Sequence, residues 1–417
     1  MSDLRKALAA SVETARDTLI ATTQRLVAVA SPNPPSDTEE IAKVAEALLR
    51  EIPGIEVETI EPAPRVKSLI GRIKAQRPGR RLIFNGHLDT FPLLEELPWT
   101  VPPLGGVLKD GKLYGRGVCD MKGGIACSLL AARLLAEHRD AWAGEIVLTL
   151  AGDEENMGSL GTGWMMAHVP HAKGDANICG DVGSPRVVRF GEKGLLWVEI
   201  EATGSPAHGA HVHRGTNAID RLRTALDRLK DLEDVPFQAP PIVTAAIAKA
   251  KAISEPLSGA GESETLQRVT VNIGTIEGGA SPNLVPTHAL ARADIRLPVG
   301  ITTDMLVNQL DAWLAPLGGV SWRAIRRFEP SFTSPHEEIV RRTARVAEEV
   351  LGVTAAVNMR VGGSDSRWYR PAGVPTVVLG LTPFNMGGAD EYVLVDELVS
   401  VAKIHTLTAF DFLSAEL

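Results

Sequence analysis

Four short polar segments, each set against an apolar run, constrain this chain more than any other feature: GHLDT at 86–90, RGVCDMKGG at 116–124, GDEEN at 152–156 and CGDVG at 179–183. Each places a His or a carboxylate among small residues, so a loop can bring nitrogen and oxygen donors together without steric cost. Three of the runs, RLIFNGHLDT, EIVLTLAGDEE and ANICGD, read as buried strands, with helical spacing between them from about 121 to 138. His87, Glu154 and Asp181 each follow such a strand. Open α/β sheets usually place their sites at the carboxyl ends of strands, so position and donor chemistry together read as the site of a metal hydrolase.

Helical spacing also covers 3–29 and 37–51, the second stretch introduced by the breaker SPNPPSD. Around 192–204 the pattern changes to amphipathic strands. GEKGLLWVEIEATG, GTNAIDRLRTALDRL, RVTVNIGTIEGG, HALARADIRLPVG and TDMLVNQLDAWLA then follow, in an order that fits a small ferredoxin-like α+β insert. The expected organisation is a catalytic domain begun over 1–193, a lid and dimerisation domain over 194–327, and completion of the catalytic domain over 328–417 with a final helix from about 395. The tract 253–266 reads as a mobile loop.

Composition narrows the class. A length of 417 residues favours two domains over one core. A formal charge of −8 disfavours nucleic acid and anionic bilayers as main partners, and no apolar run reaches membrane-spanning length. Cys119, Cys127 and Cys179 are too few and too scattered for a disulfide framework. The stretch MSDLRKALAASVETARDTLI lacks the pattern of a secretory leader, so a cytoplasmic setting is expected.

Several side chains carry two readings at this stage. His87 is either a satisfied strand-end histidine or a metal ligand that Asp89 holds in one tautomer. Asp120 is either a helix cap or a ligand. Glu154 and Glu155 are either a solvated turn or a working pair, because adjacent side chains diverge and one can bind metal while the other faces water. His208, His211 and His213 lack an accompanying carboxylate and do not read as a second metal site.

In order and spacing the segments resemble the M20 family of metal-dependent amidases and exopeptidases, over nearly the whole chain. The resemblance implies an α/β fold, a mixed-sheet metallohydrolase catalytic domain with an inserted ferredoxin-like α+β lid domain. It implies metal ligands at His87, Asp120, Glu155 and Asp181, with Asp120 bridging two ions, and catalytic roles for Glu154 as general base and for Asp89 beside His87. It further implies that His208 reaches into the partner subunit's site and stabilises an oxyanion. Asn272 and Arg296 would contact polar groups of the substrate, Arg being suited to a carboxylate. Gly363, Ser364 and Asp365 would line the substrate loop.

One departure stands out. The family places a metal-binding His four residues before the Glu of a segment like DEYV, here Asp390 to Val393; counting back from Glu391 reaches Gly387, beside Asn385, Met386 and Gly388. The expectation is therefore one firm divalent ion (Zn, Mn or Co) at His87, Asp120 and Asp181. A second site, with only Asp120 and Glu155, would be weak or absent, Asn385 being a candidate amide donor. The resemblance implies hydrolysis of an amide-like C–N bond in a small carboxylate-bearing molecule, of the N-acyl amino acid or dipeptide type, by a homodimer or larger homo-oligomer paired through the lid. Two other readings are a hydrolytic deaminase of an activated aromatic amine, such as a substituted anthranilate, and a non-catalytic binding protein on the same fold.

Overall fold

Strands and helices alternate along the chain in the computed structural model, which describes residues 3–94 and 96–415. The strands of the first part are β1 (Glu56–Ala63), β2 (Val66–Lys74), β3 (Arg77–His87), β4 (Val107–Lys109), β5 (Lys112–Tyr114), β6 (Ala143–Ala151), β7 (Ala176–Cys179) and β8 (Val187–Glu192). Then come β9 (Gly194–Thr203), β10 (Thr270–Gly278), β11 (His288–Leu297) and β12 (Val320–Phe328), followed by β13 (Ser331–Phe332), β14 (Ala356–Arg360), β15 (Thr376–Val378) and β16 (Tyr392–Leu394).

The large sheet is mixed, in the order β1-β2-β6-β3-β7-β15-β8-β13, with β14 paired to β8. Its centre is parallel: β3 pairs in parallel with both β6 and β7, and β15 with β7. Strands buried on both faces read as continuous apolar runs, which is why LIF in β3 and IVLTLA in β6 show no alternation. One face packs Phe84, Leu148 and Ile178 with the helices Gly123–Ala136 and Val395–Leu413. The other packs Ile83 and Val147 with Met165 and Tyr369.

The stretch 3–29 forms two helices, Asp3–Thr14 and Arg16–Val27, and 37–51 forms Glu39–Arg50. The helix expected from about 121 begins as a regular α-helix only at Gly123, because Asp120 and Met121 hold non-helical backbone angles.

β10, β11, β9 and β12 form a separate antiparallel sheet in that order. With the helices Ala218–Lys230 and Thr303–Leu314 the chain order is βαββαβ, the ferredoxin-like lid. Leu196, Val198 and Ile200 of β9 meet Leu222, Leu226, Leu306 and Leu310 in a core of its own.

The mobile loop expected at 253–266 is corrected. This stretch is the end of a helix, Pro241–Ser258, and a short helix, Glu262–Thr265. Ser254 and Glu262 are buried. Glu262 pairs with Arg189 at 2.8 Å, and Asn358 donates to Ser254 Oγ at 3.0 Å and to Glu262 Oε2 at 3.2 Å. Ser, Gly and Glu suggest a loop only while their distant partners are out of view. Val243 and Ile247 of the longer helix join the core of the large sheet.

Candidate metal centre

The parallel order β6-β3-β7 sets three strand ends side by side. His87 is the last residue of β3, Asp181 lies two residues beyond β7, and Glu154 and Glu155 open a 3-10 turn just after β6. Asp120 arrives from the other direction, on the loop before Gly123–Ala136. That loop needs Gly117, whose φ is 75° and where a Cβ would meet the Thr90 methyl at 2.4 Å. The helix start then lies directly on the Asp181 loop: a Cβ on Gly124 would stand 2.0 Å from the Gly180 carbonyl oxygen.

The result is a buried group in which one donor atom each from His87, Asp120 and Asp181 lies within 4.8 Å of the others. His87 Nδ1 faces the Asp89 carbonyl oxygen at 2.9 Å, an acceptor that fixes the proton on Nδ1 and leaves Nε2 for the group's centre. Nε2 lies 3.0 Å from Asp120 Oδ1. Asp89 organises more than the imidazole. Its carboxylate accepts the backbone N–H of Glu154 at 3.1 Å, that of Glu155 at 3.0 Å and Asn33 Nδ2 at 2.8 Å.

Electrostatics mark the place as short of positive charge. Burial pushes Glu154 up to about 8 although Arg367 and His87 pull it down, and burial with the repulsion of Asp120 pushes Glu155 up to about 10. Burial raises Asp181 against the pull of Arg360. Burial also opposes a charge on His87, but Asp120 and Asp89 outweigh it and hold the ring well above its ordinary value. Glu155 Oε1 is buried without a hydrogen-bond partner among the described residues. One imidazole and two carboxylates are a donor set that zinc, manganese and cobalt accept, so these residues fit a divalent ion.

Other sequence-derived candidates sit elsewhere. Glu155 follows Glu154 in the turn but is outside the three-donor group. Gly387 contributes backbone only: its carbonyl accepts from Arg116 Nη2 at 3.0 Å, and a Cβ there would lie 3.8 Å from Phe91. Asn385 is exposed and its Nδ2 donates to the Asp390 carbonyl at 3.2 Å, which ties the amide nitrogen into its own loop. Glu391 is buried in an ion pair with Arg116 at 2.8 Å.

On the lid, His208 is exposed, and its Nδ1 accepts from the N–H of Ala210 at 3.1 Å. Asn272 is exposed opposite Asp294, whose carboxylate takes Arg296 at 2.9 Å. Ser364 is fully buried and donates to Glu192 Oε2 at 2.7 Å. Gly363 leaves space for Arg367, since a Cβ there would come within 2.7 Å of its guanidinium. Asp365 accepts from Thr162 Oγ1 at 2.7 Å, and burial pushes its carboxyl up to about 7.

Three residues at the site had no role in the sequence reading. Asn33 lay in a segment read only as a breaker. Arg367 donates to Glu154 Oε1 at 2.6 Å, and Arg360 Nη1 lies 3.2 Å from Asp181 Oδ2. Arg360 ends the strand AVNMR, so the rule that singled out His87 and Asp181, a polar residue closing an apolar strand, would have found it.

Fold and site together define a metallohydrolase that acts on C–N bonds. The profile of Peptidase family M20/M25/M40 matches residues 83–411, and the chain belongs to this family, whose members depend on divalent metal. The reading as a non-catalytic binder is set aside. Succinyl-diaminopimelate desuccinylase of Rhodospirillum centenum is 29% identical over 353 residues, covering 82% of this chain and 83% of that protein. The enzyme of the same name from Parvibaculum lavamentivorans is 30% identical over 359 residues, covering 83% and 82%. Among solved structures, human carnosine dipeptidase 1 shares the fold with a TM-score of 0.80 at 16% identity, covering 99% of this chain and 100% of that one. An M20 family metallo-carboxypeptidase from Sulfolobus solfataricus does so with a TM-score of 0.79 at 20% identity, covering 95% and 99%.

Proposed function

We propose that this chain hydrolyses an amide-like C–N bond in a small carboxylate-bearing molecule of the N-acyl amino acid or dipeptide type. The observation that carries the reading is the buried group His87, Asp120 and Asp181 beside the Glu154 turn, with Asp89 fastening both. The names of the relatives, desuccinylase, dipeptidase and carboxypeptidase, support that substrate class.

His87, Asp120 and Asp181 would hold one divalent ion, zinc, manganese or cobalt. When bound, such an ion polarises a carbonyl and lowers the pKa of coordinated water to about 7. Glu154 takes the proton of the attacking water and passes it to the leaving nitrogen. Arg367 keeps the Glu154 carboxylate in one orientation. A second ion would have only Asp120 and Glu155, and binds weakly or not at all. His208 stabilises the oxyanion from across a lid-paired dimer, and Asn272 contacts the substrate. The setting we infer is cytoplasmic, a reading supported by the sparse, scattered cysteines. Among the described residues, no helix is long and apolar enough to cross a membrane.

A product-resolved screen tests the reading: N-acyl amino acids, dipeptides and anthranilate-like amines, with Zn²⁺, Mn²⁺ and Co²⁺ supplied separately. A new carboxylate with a free amine is the expected product. Ammonia without a new carboxylate would replace amide hydrolysis by deamination.

A further inference from the structure

Carboxylates crowd the centre: Asp120, Glu154, Glu155, Asp181 and Asp365. An anionic substrate approaching them needs a cation with donors to offer. Arg296, the residue singled out from sequence for that task, has its Nε at 2.9 and 3.0 Å from the two Asp294 oxygens and its Nη2 at 2.9 Å from Oδ2. Arg367 is engaged at all three nitrogens, by the Ser364 carbonyl at 2.6 Å, Met157 Sδ at 2.7 Å and Glu154 at 2.6 Å. Arg370 is enclosed, its side chain 1% exposed, against Glu192 at 3.4 Å.

Arg370 shares with Arg360 buried guanidinium nitrogens that lack a hydrogen-bond partner among the described residues, but Arg360 differs from Arg296 and Arg367 in pairing and from Arg370 in exposure. The Arg360 side chain keeps 13% exposure at the end of β14, and its Nη1 is buried with no hydrogen-bond partner among the described residues. That Nη1 lies 3.2 Å from Asp181 Oδ2, a contact of charges rather than an aligned hydrogen bond. A buried donor left unpaired has lost its water and gained no partner, so such a group persists where something else engages it. Beside it the chain carries Gly362, where even an added Cβ would remain 3.8 Å from the guanidinium. The planar fork of Arg matches a carboxylate, which accepts two of its N–H groups at once.

We propose that Arg360 receives the substrate's carboxylate. Its Nη1 touches Asp181, a member of the three-donor group, so the carboxylate it reads lies a few bonds from the C–N bond cleaved. This places the substrate among compounds whose carboxylate neighbours the scissile bond: an N-acyl α-amino acid or a dipeptide cleaved at its terminal residue, rather than one with a distant acid. The inference rests on the proposed hydrolysis for its substrate class but is measurable without turnover.

The Mn²⁺-loaded protein is titrated by calorimetry with benzoate and with benzamide, as wild type and as Arg360→Gln and Arg360→Lys. Benzoate binding is expected to weaken about tenfold or more in Arg360→Gln, with benzamide unaffected, part of the loss recovered by Arg360→Lys and the retained Mn²⁺ unchanged. Equal effects on both ligands, loss of Mn²⁺ from Arg360→Gln, or no benzoate binding to the wild type would each overturn the proposal. For any N-acyl amino acid that is cleaved, Arg360→Gln should raise KM about tenfold while kcat stays within about threefold, and the matching primary amide should lose nothing further. A fall in kcat alone would contradict it. If nothing is cleaved yet benzoate binding still depends on Arg360, the hydrolase reading falls and the carboxylate role stands.

Discussion

At the scale of single residues, Asp89 has the widest reach, because its backbone carbonyl orients His87 while its buried carboxylate anchors the backbone of both Glu154 and Glu155. Sequence showed the His-x-Asp spacing and the doubled glutamate, but the hydrogen bonds that tie them together join residues more than sixty positions apart. The general-base role is the most direct to test. Glu154→Gln keeps an oxygen for Arg367 but cannot take a proton, so turnover should fall about 10²- to 10⁴-fold with metal content nearly unchanged. A variant with full activity would refute the assignment.

At the scale of elements, the site depends on strand ends meeting a helix start. Gly124→Ala places a methyl against the Gly180 carbonyl and should destabilise the fold by about 1–3 kcal/mol, read from urea unfolding, with weaker metal retention as Asp120 moves from Asp181. The final helix carries a pH-sensitive contact. His405 is buried against Phe84, with Nε2 facing the Leu379 carbonyl at 2.8 Å, and burial lowers its pKa to about 4. The unfolded chain takes up that proton near pH 6.5 and the folded chain only near 4. Stability is thus lost as pH falls through this window, by up to roughly 3 kcal/mol. Denaturation at several pH values should show this slope, reduced in His405→Gln.

At the scale of the whole molecule, metal binding and assembly each give a measurable consequence. A ligand that binds only the folded chain stabilises it by about 2.7 kcal/mol at a hundred times its Kd, so chelation should lower the melting temperature. Metal analysis after mild dialysis is expected to find one retained ion per chain; two tightly held ions would show that something compensates for Gly387. The trans role of His208 requires a dimer. Dilution until sedimentation shows monomers should abolish turnover, and a fully active monomer would remove His208 from the mechanism.

The βαββαβ order of the lid and the candidates His87, Asp120 and Asp181, which the fold brings together, were legible because each rests on local pattern: hydrophobic period, small residues beside a polar one, acids closing apolar strands. The helices at 241–265 were not legible as such, since the Arg189 and Asn358 contacts that order Ser254 and Glu262 come from distant strands. Sequence by itself determined the types of donor, their order and the missing histidine at Gly387. Tertiary structure decided which arginine has a free hand at the centre. Arg296, Arg367 and Arg360 are alike as residues and differ only in what surrounds them. Asp294 occupies the first and Glu154 the second, while a buried Nη1 without a hydrogen-bond partner is left at the third. Whether a guanidinium is engaged or available depends on neighbours brought together by folding, and no local pattern records them.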